Sequence, residues 1–99
     1  MNKIIHAQSG HTLFVESVEL SALPENVQDF RFITNYKKHY VVRNWDSAGV
    51  VFFYIAAEPI ASKKHEFVVW YSNGGFWSGF GRNITEAING AQRDGWMYA

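Results

Sequence analysis

Two Lys-Lys-His triplets stand out among the residues that carry charge: Lys37-Lys38-His39 and Lys63-Lys64-His65. Each leads into an apolar run, Tyr40-Val41-Val42 and Phe67-Val68-Val69, that reads as a strand. If strands over 39–44, 50–57 and 65–72 form a meander, the first and third run the same way and both triplets lie at one end of the sheet. With Arg43 and Arg31 such a rim suits phosphate, nucleic acid or an acidic protein. The competing reading is a pair of solvated strand ends, with lysines guarding against edge pairing. The rim also brings His39 toward His65, where a pH-sensitive cluster or an enzyme pocket would have to lie.

The second set is aromatic. Aromatic side chains make up 17% of the chain, including four Trp, enough to supply a binding surface as well as a core. Trp45, Trp70, Tyr71 and Trp77, with Phe76 nearby, are the candidate surface. Exposed rings stack nucleobases at about 1–3 kcal/mol each, and they anchor protein partners equally well. Burial under a helix is the competing fate, and it accounts for one face of the strands that carry them, not for both.

Catalytic sets are weaker. Ser47 follows Asp46 and Ser62 lies near His65, but neither pair comes with the third, orienting group that nucleophilic catalysis needs. Glu16/Glu19 and Glu58/Glu66 are carboxylate pairs with no sequence sign of a shared cleft. His6, His11, His39 and His65 show no metal-ligand spacing and there is no cysteine, so neither a metal nor a cofactor is expected. Gly79-Phe80-Gly81-Arg82-Asn83 precedes a helix and could cradle an anion on its backbone N–H groups. Its spacing is neither that of a P-loop nor that of a dinucleotide site, so a tight strand-to-helix turn is the simpler reading.

The elements that position these residues follow from pattern. The chain of 99 residues is expected to form one domain, 1–99. Nine basic residues balance nine acidic ones, which argues against a dedicated binder of duplex DNA. The longest apolar run, 49–57, is too short to span a bilayer, and the N-terminus has no apolar leader. A cytoplasmic protein without membrane contact is the expectation.

Asn73-Gly74 between Phe67–Tyr71 and Phe76–Phe80 is a strong hairpin signal. As a two-residue loop it sets Tyr71 against Phe76, Trp70 against Trp77 and Phe67 against Phe80. Val68, Trp70 and Trp77 then share one face, and Phe67, Val69, Tyr71, Phe76 and Phe80 the other. Ser9-Gly10 read the same way sets Ile5 against Phe14 and Lys3 against Glu16. Val50–Ile55 is apolar throughout and reads as a central strand buried on both faces. Pro24 opens a short helix near 24–30. Asn83-Ile84-Thr85-Glu86 has the form of a capping box, and Ile84, Ala87, Ile88 and Ala91 make one apolar stripe, ended by Gly95. Trp96-Met97-Tyr98 reads as a tail folding back on the core.

The expected fold is α+β: a mostly antiparallel sheet of five or six strands, packed on one face by a helix over about 84–94. The leading functional expectation is a small non-enzymatic binding protein acting through its aromatic surface, on a protein partner or on a second copy of itself. A single-stranded nucleic-acid module, using Lys37, Lys38, Lys63 and Lys64 against phosphates, comes second. An enzyme with a pocket at the His39/His65 rim comes third.

Overall fold

The computed structural model describes residues 2–28, 35–45, 50–61, 65–71 and 75–95. Six strands form one antiparallel sheet in sequence order: β1 (Asn2–His6), β2 (Thr12–Val18), β3 (Tyr36–Asn44), β4 (Val51–Pro59), β5 (Glu66–Tyr71) and β6 (Phe76–Phe80). A 3-10 turn (Leu20–Ala22) and a one-turn helix α1 (Glu25–Gln28) follow β2, and α2 (Ile84–Gly95) follows β6. No helix among the described residues is long and apolar enough to cross a membrane. The fold is thus the α+β sheet-and-helix arrangement that the pattern predicts. Residues 29–34 and the tail 96–98 lie outside the described residues.

The stripe on α2 decides which face of the sheet is closed. Ile84, Ala87, Ile88 and Ala91 are all buried and pack with Ile5, Leu13, Val15, Tyr40, Val42, Phe53, Ile55, Phe67 and Val69. The alanines let the helix lie close to β5 and β6, which carry bulky side chains on this first face. The sheet curls far enough for the β1–β2 turn to reach the same helix. Gln8 N–H donates to Asn89 Oδ1 at 3.0 Å, and Ser9 Oγ donates to the buried Gln92 Oε1 at 2.9 Å.

The second face is closed differently. Leu23 and Val27, from the segment between β2 and β3, cover Tyr36, Val41, Ala56, Val68 and Trp70. One short turn and one short helix are a smaller lid than α2, and the margins of this face stay open.

Both hairpin registers differ by one residue from the two-residue-loop expectation. Ala7 N–H donates to His11 O and Gly10 N–H to Ala7 O, so three residues, Gln8 to Gly10, make the first loop. Gly10 takes the left-handed conformation (φ 93°) that such a loop requires at its third position. Lys3 therefore faces Val15, not Glu16, and Ile5 faces Leu13, not Phe14. At the second hairpin Tyr71 N–H donates to Gly75 O, Trp70 pairs with Phe76 and Val69 with Trp77. Because side chains alternate, the slip moves Trp77 to the helix face and puts Phe76 and Phe80 with Trp70 on the other.

Two further irregularities shape the central strands. Val42 pairs with Phe53 but Arg43 pairs with Val51, which leaves Phe52 as an extra residue, a β-bulge. Phe52 and Phe53 consequently both turn toward the first-face core, where alternation would have separated them. At the far end of β4, Glu58 sits at φ 62°, a conformation that costs a non-glycine residue about 1 kcal/mol. Its carboxylate is held by Lys38 Nζ at 2.8 Å.

Candidate functional site

The cross-strand pairs lay out the second face as rows. One row runs Asn2, Glu16, Val41, Tyr54, Trp70, Phe76 across all six strands. A neighbouring row runs Ile4, Phe14, Arg43, Val51 across the first four. The middle of this face is covered and its two margins are not. Ile4 is 48% exposed and Trp45 56% at one margin; Phe76 is 48% exposed and Phe80 67% at the other. Such side chains scattered singly would need no explanation, but here they share one face of one sheet.

Trp45 is positioned by backbone. It lies just past the end of β3, and its N–H donates to Thr12 O at 2.9 Å, tying it to the start of β2. The indole thereby comes against Phe14, with ring centroids 5.7 Å apart and planes tilted by 43°. Phe14, Arg43, Asn44 and Trp45 line an open concavity of about 210 Å³. Arg43, half-buried, is the charged residue of this lining, and Asn44 is buried, its N–H donating to Val50 O. At the opposite margin Trp70 is 5% exposed and stacks on Phe76, centroids 5.6 Å apart.

The other sequence-derived candidates separate from this surface. Trp77 lies half-buried on the helix face. Its Nε1–H donates to Asp94 Oδ2 at 3.0 Å, and its ring fills the space over Gly79 and Gly90. Tyr71, also on the helix face, donates its hydroxyl to Ala91 O at 2.8 Å. Both act as ties between sheet and helix. Phe14, Asn44 and Phe80 were not singled out as site residues by type or spacing, and they belong to the margins; a correct hairpin register would have pointed to Phe80.

The basic rim is partly assembled. β3 and β5 are both antiparallel to β4, so they run the same way. β3 starts at Tyr36, which puts Lys37 and Lys38 inside the strand, not before it as expected. Lys37 is exposed, Lys38 is paired with Glu58, and Lys63 and Lys64 lie outside the described residues, as do Arg31, Asp46, Ser47 and Ser62. His39 is buried between Val18 and Ala56 in the ladder, whereas His65 is exposed ahead of β5. His39 is level with Val68 through Ala56, so strand geometry sets the two imidazoles on the order of 14 Å apart. The rim and Trp45 stand at opposite ends of β3, roughly 20 Å from each other.

The turn before α2 supplies its own anion. Glu86 Oε1 accepts from Arg82 N–H at 3.1 Å, and Asn83 Oδ1 caps the helix by accepting from Glu86 N–H at 3.0 Å. The glutamate thus reaches one residue beyond the capped Asn83, and Arg82 Nε adds a 2.7 Å ion pair. Gly81 N–H is taken by His65 O. The Arg82 backbone and side chain hold the Glu86 carboxyl below the usual carboxylate range, and Arg93 with the Trp77 indole does the same for Asp94. Burial raises the Tyr36, Tyr40 and Tyr71 hydroxyls.

Carboxyls lowered in the fold contribute stability that is present above their unfolded pKa and lost as pH falls through the folded one. Tyrosines raised in the fold contribute stability that is lost as pH rises past the ordinary value near 10. Melting temperature is therefore expected to decline below about pH 4.5 and above about pH 10. Glu86→Gln and Asp94→Asn should each flatten the acid limb, which a pH series of thermal melts would read; an unchanged acid limb in both would remove these carboxyls as its source. Among the described residues no three His, Asp or Glu side chains gather as a metal site. No family model, curated protein or solved structure matches the chain.

Proposed function

We propose that this chain is a small non-enzymatic binding protein of the cytoplasm. It would act through the aromatic margins of its second sheet face, on a protein partner or on a second copy of itself. The observation that carries the reading is the Phe14–Trp45 concavity: an exposed indole on backbone tied to β2, resting against a second ring and beside Arg43. An indole already resting on a neighbouring ring has less freedom to lose on binding, which suits an interface anchor. Nucleic-acid stacking gains less support, because Lys37 and Lys38 stand at the other end of β3 from Trp45.

Affinity capture from the source organism tests this. The protein should retain a partner that Trp45→Ala loses by about 30-fold in affinity, the weight of an anchor residue worth roughly 2 kcal/mol. The melting temperature should stay within a few degrees of wild type, since Trp45 closes no core. Capture that is indifferent to both Trp45→Ala and Phe14→Ala would end the proposal. Retention of a single-stranded oligonucleotide that falls steeply with salt would replace it with the stacking reading.

A further inference from the structure

We propose that β6 is a self-complementary edge through which two copies of the chain pair, antiparallel about Ser78, to join their sheets into one. This rests on the part of the functional reading that has a second copy as partner, but it uses the strand edge and not the Trp45 concavity.

β6 is an edge of the sheet, bonded to β5 alone among the described residues. Tyr71 N–H to Gly75 O and Gly81 N–H to His65 O fix the alternation of the β5–β6 ladder. Odd-numbered residues of β6 bond inward to β5, so the N–H and C=O groups of Ser78 and Phe80 point outward. Edge strands of folded proteins carry lysine, proline or a bulge to prevent pairing. The opposite edge obeys this, with Lys3 and His6 on β1. β6, Phe-Trp-Ser-Gly-Phe, has no charge and no proline, and its register against β5 is unbroken.

The strand also matches itself. Antiparallel pairing about Ser78 sets Ser78 against its copy, Trp77 against Gly79 and Phe76 against Phe80. On the helix face each Trp77 stays folded over its own Gly79, so neither residue of that pair projects a side chain across the seam. On the other face, two exposed phenylalanines meet in each of two cross-strand pairs.

Charge agrees. α2 starts beside Gly81 and brings Asp94 to Trp77, so it runs back along β6. The two-fold axis therefore places Arg82 and Glu86 of one copy toward Asp94 and Arg93 of the other. Each of these pairs is already neutralised within its own copy, so the helix ends meet without like-charge repulsion, and the two antiparallel helix dipoles align favourably. A five-residue strand with two rings is a small contact, so association is weak and concentration-dependent.

The chain has no cysteine, so Ser78→Cys introduces one thiol. In the two-fold register both Cα atoms stand about 5.5 Å apart, within disulfide range. Mild oxidation should cross-link Ser78→Cys at least ~10-fold faster than Ser17→Cys, an exposed control on β2. In sedimentation, Ser78→Lys should weaken self-association of the otherwise wild-type chain at least ~10-fold with an unchanged melting temperature. Equal cross-linking rates, a wild-type chain that stays monomeric at every concentration, or a dimer that Trp45→Ala dissolves and Ser78→Lys does not would each overturn the β6 pairing. The last outcome would leave the aromatic-margin reading standing.

Discussion

Replacing Phe53 by alanine is expected to cost about 4 kcal/mol of folding stability. Phe53 is wholly buried in β4, with edge-on contacts to Tyr71 at 5.8 Å and to Phe52 at 6.1 Å between centroids. Removing the ring loses its transfer free energy and leaves a cavity between the central strands and α2. Against a total stability of roughly 5–15 kcal/mol for a domain of this kind, the variant should melt far lower or fail to fold. Phe53→Leu, keeping most of the volume, should cost roughly half as much. Urea denaturation of the series measures this. A Phe53→Ala loss under 1 kcal/mol would mean that the first-face core is not packed as described.

What was legible in the sequence and what was not divide along a physical line. Signals internal to one element were readable. Asn83, Glu86 and the Ile84-Ala87-Ile88-Ala91 stripe specify α2 within a dozen residues, and every stripe residue is buried. The meander and its central strand followed from turn chemistry and from the apolar run, although β4 begins at Val51 and Val50 is exposed, not buried on both faces as expected.

Signals that depend on the relation between elements were not readable. Ser9-Gly10 and Asn73-Gly74 mark turns, but not whether the loop closes after two residues or three, and one residue exchanges the faces. That single slip placed Trp77 beside Trp70, when it belongs under α2, and hid that the exposed Phe76 and Phe80 share a face with the buried Trp70. An unbroken apolar run has no period for a bulge to interrupt, so Phe52 gave no warning. The Phe14–Trp45 concavity depends on a hydrogen bond between residues 12 and 45, and no local pattern encodes it. Within the candidate site, residue type identified Trp45 alone; Arg43, expected on the basic rim, lies at the other end of β3 beside Trp45, and Phe14 and Asn44 came only from the fold.

Trp77→Ala is expected to cost about 3 kcal/mol, as a clamp and not as a binding residue. The indole covers Gly79 on its own strand, meets Gly90 on α2 and donates to Asp94 near the helix end. A Cβ at Gly79 would have to occupy the space the indole fills. Gly79→Ala should therefore also destabilise, by roughly 1–3 kcal/mol through displacement of that ring. The two losses should not add, because the three atoms nearest a Cβ at Gly79 all belong to that indole, and without it the severe overlap is gone. A double-mutant cycle in urea should show coupling above 1 kcal/mol. Asp94→Asn keeps an acceptor for Nε1 and should cost far less than either. If Trp77→Ala left stability unchanged while abolishing partner capture, the indole would belong to the binding surface after all. The same cycle bears on β6, because Phe76 and Phe80 flank the clamp, and only a strand held against α2 presents them at a fixed margin.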